Sequence, residues 1–181
     1  MRSEHLIIVE SNKIQGLKLL YFKPHTDSRG AFVRMYCKEE FGKDFELAQI
    51  NYSFSPKMGT LRGLHFQPGQ QKIVRCISGE VQDVIVDLRS TSSTFGNIFY
   101  TVLSTIMLGV WIPSGCAHGF LTLTDNCSVM YMSSRVYNPH TESGVRWDDL
   151  DLKIPWMLQP KLVSDRDQEL PLWKDFQLVS F

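Results

Sequence analysis

Four basic side chains, Arg62, His65, Lys72 and Arg75, fall within the stretch GTLRGLHFQPGQQKIVRCISGE at residues 59–80. Histidine can take and return a proton near neutral pH, and a fixed cation can stabilise an oxyanion or hold a phosphate. Apolar and polar residues alternate here, so the four are expected to project from neighbouring strands onto one face and line a cationic pocket containing a base. The two-residue period puts Lys72 with Val74 and Cys76. After the turn at Gly79 and Glu80 it puts Gln82, Val84 and Val86 together. A lysine on an apolar face either lays its stem over that surface or sits there to do chemistry, and the spacing allows both.

A second informative spacing is Pro113-x-Gly115-x-x-His118, at the entry to a strand in WIPSGCAHGF. It resembles the second motif of the cupin jelly roll. The first cupin motif would begin at Gly59 and place a histidine at His65, but its second histidine falls where this chain has Gln67. Glutamine is a poor ligand for a transition metal, so no metal and no cofactor are expected. His118 alone is either a hydrogen-bonded histidine at a strand start or a substrate contact.

Short, evenly punctuated strands are expected to position these residues. They are read over 6–9, 16–22, 32–36, 46–54, 60–67, 71–78, 80–89, 97–103, 106–112, 118–124 and 127–137, with a turn over Pro24–Gly30 and a helix over Lys38–Phe45. That pattern is all-β, an antiparallel sandwich or barrel with a few short helices. At 181 residues, with no Pro- or Ser-rich linker, the chain reads as one domain. Its 19 basic and 19 acidic residues cancel, which argues against general attraction to nucleic acid or to an anionic membrane. The four cysteines show no zinc or disulfide spacing, and the apolar run near the N-terminus is too short for a signal peptide or a membrane span. A cytoplasmic protein is expected.

Taken together, RGLHFQ, QxKIVRCxxGEVxDVxVDLR, SSTFG, WIPSGCAHGFLTL and YNPHTESGVRWDD resemble the dTDP-4-dehydrorhamnose 3,5-epimerase family, over about Gly16 to Asp167. The resemblance implies a cupin-type jelly roll with a core over about 16–157 and a C-terminal segment, 158–181, closing the site. It implies a homodimer in which N-terminal strands join the partner's sheet. The implied substrate is a nucleoside-diphosphate 4-keto-6-deoxy sugar, most simply a dTDP sugar. In such a sugar carbons 3 and 5 flank the ketone, so inversion needs a base on one side and an acid on the other. The family pattern puts the base at His65, the acid at Tyr131, the oxyanion-stabilising cation at Lys72 and the carboxylate orienting the base at Asp167. Without it, Tyr131 would read as a core aromatic.

The same pattern puts phosphate contacts at Arg29 and Arg62, nucleotide-contacting amides at Gln49 and Asn51, a base-stacking ring at Tyr137 and a pocket aromatic at Phe32. His118, Glu142 and Arg166 fall at further ligand positions, Arg166 where the family commonly has lysine, and Asp83 lies behind the site. Departures are Met132 after the acid tyrosine, Val136 in the usual Tyr-Tyr pair, and Arg34 in place of a glutamate. Alternation from Phe32 is expected to turn Arg34 into the pocket, where a donor-only side chain would read a different nucleotide, sugar hydroxyl or phosphate. Alternatives are a single-centre epimerase, a 3,4-ketoisomerase and a non-catalytic sugar-nucleotide binder. An opposed acid and base disfavour the last.

Overall fold

The computed structural model describes residues 5–104 and 107–176. Its strands are β1 (Leu6–Glu10), β2 (Lys18–Phe22), β3 (His25–Asp27), β4 (Gly30–Phe32), β5 (Gln49–Ser55), β6 (Leu61–Phe66), β7 (Lys72–Ser78), β8 (Val81–Asp87), β9 (Ile98–Leu103), β10 (Leu108–Ile112), β11 (Cys116–Thr122), β12 (Cys127–Ser133) and β13 (Ser143–Gly144). Two short helices, α1 (Lys38–Phe41) and α2 (Asp165–Gln168), and a 3-10 turn at Trp173–Asp175 complete the elements. The strands form a six-stranded sheet, β1-β2-β10-β7-β12-β5, and a five-stranded sheet, β13-β6-β11-β8-β9. All strand pairs are antiparallel, and the two sheets face each other as a jelly-roll sandwich.

Alternation decides which side chains meet. Val74, Cys76, Val110, Ile112 and Val129 of the larger sheet pack against Val81, Ile85, Leu103 and Phe120 of the smaller one, all buried. The opposite parity of β8, Val84 and Val86, packs with Leu64, Ala117, Val145 and Phe176 beneath the C-terminal segment. Lys72 shares the inner parity of Val74 and Cys76, as its sequence position predicts. Arg75 does not, and this corrects the expectation of four cations on one face. Three residues from Lys72, it points out of the back of the sheet. There its guanidinium lies 3.6 Å from the ring centre of Phe22 and donates to the Met35 carbonyl, and burial pushes its pKa down to about 10.

Several boundaries also move. The helix expected over Lys38–Phe45 stops at Phe41 because Gly42 takes a φ of +63°, closing the turn with its N–H on the Lys38 carbonyl. The expected turn over Pro24–Gly30 contains most of a hairpin, β3–β4, whose second strand ends at Phe32. Residues 33–37 are therefore not a strand. Tyr36 instead stacks on Phe41, ring centres 5.3 Å apart, beside Phe45 and Trp111. The last long strand ends at Ser133, not at 137. Residues 1–4, Ile106 of the strand expected over 106–112, and the end of the C-terminal segment after Phe176 lie outside the described residues.

Candidate active site

The sheets part at one end around a cavity of about 410 Å³. Its floor and one wall come from the inner face of the six-stranded sheet. Gln49, Asn51 and Ser53 alternate along β5, Tyr131 and Ser133 along β12, and Lys72 starts β7. Register aligns them: Ser133 pairs with both Lys72 and Gln49, and Tyr131 pairs with Asn51.

The opposite wall carries His65, Arg62, His118 and Phe120. Arg62 and His65 are three residues apart, so a regular strand would send them to opposite faces. Between β6 and β11 the register shifts, from His118 opposite His65 to Phe120 opposite Arg62. The extra residue on β6 is a bulge that returns both side chains to the cavity. Gly63 sits in it with φ +117°, so close that a Cβ there would lie 2.5 Å from Gly119 Cα and 2.7 Å from the His118 carbonyl.

The third contribution is α2, capped by the Ser164 hydroxyl, which accepts from the Asp167 N–H at 3.2 Å. This turn places Asp167 Oδ1 2.6 Å from His65 Nε2, while Oδ2 accepts from the Gly63 N–H at 3.0 Å. Burial pushes the Asp167 carboxyl up, but His65, Gly63 and Ser164 outweigh it and hold its pKa below the usual range. The carboxylate therefore fixes a proton on Nε2 and leaves Nδ1 as the lone-pair nitrogen. A second pair of the same kind lies beside it: His118 Nε2 and Asp83 Oδ1 are 2.6 Å apart and buried, and Asp83 Oδ2 is buried without a hydrogen-bond partner among the described residues.

Facing the histidines, the Lys72 amine is pushed down to about 8 by burial, with Glu142 and then Asp83 pulling it back. Burial raises the Tyr131 phenol, opposed by Arg62, so it stays protonated and able to donate. At the mouth, Arg166 donates to the Tyr137 hydroxyl at 3.1 Å and is ion-paired with Glu142. Arg62 reaches the Phe54 carbonyl at 3.4 Å. Gln49 donates to Asn51 Oδ1 at 2.7 Å.

Eleven of the fourteen residues singled out from the sequence thus line one cavity. Arg29, Phe32 and Arg34 do not reach it within the single chain. Arg29, at the tip of the β3–β4 hairpin, pairs locally with Asp27, its side chain 88% exposed, and Phe32 is 68% exposed. Arg34 lies beyond the end of β4, so alternation from Phe32 does not apply to it. It pairs instead with Glu40 of α1 at 3.2 Å. Ser53, Ser133, Phe120, Ser164 and Gln70 also line the cavity and were missed. Parity with Asn51, Tyr131 and His118 was the available signal for the first three. The Ser53 hydroxyl is buried and has no hydrogen-bond partner among the described residues.

The residues present do not suit the metal of the wider cupin fold. Among the described residues no group of three or more His, Cys, Asp or Glu side chains is placed to hold an ion. Gln67, at the vacated ligand position, spends its amide on the backbone of Val136 and Asn138. No helix among the described residues is long and apolar enough to cross a membrane.

Comparison with known proteins gives a consistent result. The family model for dTDP-4-dehydrorhamnose 3,5-epimerase matches residues 11–175. The enzyme of that name from Shigella flexneri is 40% identical over 159 residues, 82% of this chain and 87% of that one. Among solved structures, the Legionella pneumophila dTDP-6-deoxy-D-glucose-3,5-epimerase in complex with dTDP-4-keto-L-rhamnose superposes with a TM-score of 0.89 at 33% identity, covering 98% of this chain and 99% of that one. A 3'-monoepimerase from Streptomyces bikiniensis, in complex with dTDP-quinovose, superposes with a TM-score of 0.85 at 32% identity, covering 92% and 88%.

Proposed function

Because the chain belongs to the dTDP-4-dehydrorhamnose 3,5-epimerase family and is an isomerase, we propose that this cavity inverts carbon 3, carbon 5 or both of a dTDP-4-keto-6-deoxy sugar. The observation that carries the proposal is the placing of an oriented histidine and a protonated phenol on opposite sheets, both lining one cavity. His65 Nδ1 removes the proton from the carbon beside the ketone. The C–H electron pair becomes the enolate π bond, and the carbonyl π pair moves to oxygen, where the Lys72 ammonium stabilises it. Asp167 holds the imidazolium so formed. The Tyr131 hydroxyl then delivers a proton to the other face of the same carbon, the ketone re-forms, and solvent restores both groups. Arg62, Arg166 and His118 serve the diphosphate and the sugar, Gln49 and Asn51 the nucleoside, and Tyr137 stacks on the base.

The proposal includes a homodimer. The terminal strand β5 shows Ile50, Tyr52 and Phe54 on its outer face, 49–65% exposed, and such an apolar edge calls for a cover. A β3–β4 hairpin from a second copy would supply one and bring Arg29 and Phe32 to the neighbouring site. A cytoplasmic location belongs to the same proposal: all four cysteines are free thiols, three of them buried, as suits a reducing compartment.

The similarity to a 3'-monoepimerase supports a second reading, inversion at carbon 3 alone. One experiment tests both. Turnover of dTDP-4-keto-6-deoxyglucose in deuterium oxide, followed by proton NMR, should place deuterium at carbons 3 and 5 with both centres inverted. Exchange and inversion at carbon 3 only would favour the second reading, and no exchange at either carbon would sink the proposal.

A further inference from the structure

Gln67 does not line the cavity. It follows the end of β6 and is 6% exposed, with its side chain aimed at the crossover that carries the chain from β12 to β13. Its Nε2 donates to the Val136 carbonyl at 3.0 Å, and its Oε1 accepts the Asn138 N–H at 2.8 Å. A parallel β neighbour makes the same two bonds, to the carbonyl before a residue and the N–H after it. The residue so bracketed is Tyr137. Its own N–H donates to Gln49 Oε1 at 2.9 Å, so two glutamine side chains take up three backbone groups around it. The turn beyond hangs from the same point, the N–H groups of Thr141 and Glu142 donating to the Asn138 carbonyl. Tyr137 is 43% exposed, with its hydroxyl accepting from Arg166, so hydrogen bonds to its backbone and hydroxyl fix its ring at the cavity mouth.

We propose that Gln67 is a positioning residue for nucleotide recognition: its amide, standing where a cupin metal ligand would be, clamps Val136 and Asn138 and so holds the Tyr137 ring ready for the base. The inference rests on the reading that Tyr137 stacks on the nucleotide base. Its signature is loss of base recognition with phosphate recognition retained, which a general loss of stability would not give.

The test measures binding of dTDP and of inorganic pyrophosphate by calorimetry to the parent, Gln67→Met, Tyr137→Leu and the double variant. Met fills the space of Gln67 without its two hydrogen bonds, and their loss should weaken dTDP by about tenfold. Pyrophosphate should change less than about twofold, because it has no base to stack. In the Tyr137→Leu background Gln67→Met should have no further effect on dTDP. KM for the sugar nucleotide should rise while kcat falls far less. Unchanged dTDP affinity in Gln67→Met, equal weakening of both ligands, or additive effects in the double variant would overturn the inference. Unchanged dTDP affinity in Tyr137→Leu, with Gln67 intact, would instead sink the reading of Tyr137. If Gln67→Met does not fold, Gln67→Glu serves in its place, since it keeps the acceptor for Asn138 and loses only the donor to Val136.

Discussion

His65 and Tyr131 differ in what their loss should do, because they act at different moments. Without the imidazole no enolate forms, so His65→Ala should abolish both inversion and solvent deuterium incorporation. Tyr131→Phe leaves abstraction intact and removes only the proton returned from the far side. Exchange in deuterium oxide should therefore survive better than inversion, and equal, small losses in the two variants would contradict the assignment. Lys72 gives a second handle. Its amine, pushed down to about 8 by burial, must be protonated to stabilise the enolate, so kcat/KM should fall as pH rises through about 8. Stability should respond the other way. The folded site holds this proton less tightly than the unfolded chain does, so between about 8 and the ordinary lysine value the unfolded state binds more protons and this residue's contribution to stability rises with pH. Lys72→Met should lower kcat by about 10² to 10³ and flatten both trends, measured as a pH–rate profile and thermal unfolding across the same range. An alkaline limb that persists in Lys72→Met belongs to another group.

At the scale of elements, the bulge in β6 does what no periodic strand could. Adding one methyl at Gly63 would drive a Cβ into the backbone of Gly119 and His118, and the φ of +117° disfavours any side chain. Gly63→Ala should cost at least the roughly 1–3 kcal/mol of ordinary overpacking and separate His65 from Asp167, so the melting temperature and kcat should fall together. Full activity in that variant would show that the bulge is not needed. The same element marks the limit of reading from sequence. Parity was legible: Lys72, Val74 and Cys76 share the inner face, and Gln49, Asn51 and Tyr131 line up as alternation requires. Strict parity also sets Arg75, three residues from Lys72, on the opposite face, which the expectation of four cations on one face overlooked. What alternation could not supply was the register shift that reunites Arg62 with His65. Nor could it supply the turn of α2 that brings Asp167 to a histidine 102 residues away in the chain. Asp167 as the partner of His65 was legible only through family resemblance. Local conformation escaped as well: Gly42 ends α1 early, and the hairpin hides in what reads as a turn, which misdirected Arg34.

For the whole molecule the open question is whether one chain completes its own site. Arg29 and Phe32 are exposed on a hairpin belonging to neither large sheet, while β5 ends its sheet with three apolar side chains uncovered. Exchange of hairpins between two copies would resolve both features, since each hairpin would cover the other chain's edge and deliver its arginine to the other chain's cavity. Complementation tests this directly. Arg29→Ala should raise KM for the sugar nucleotide, and His65→Ala should be inactive. In a mixed dimer of the two, one site joins an intact His65 from the first chain to an intact Arg29 from the second, and the other site lacks both. With random pairing half the dimers are mixed and half their sites are whole, so co-expression should restore about one quarter of the parent activity at low substrate. A monomer in solution, measured by light scattering during size exclusion, would rule the exchange out. A mixture no more active than the mean of its two parents would show that Arg29 serves its own chain or none.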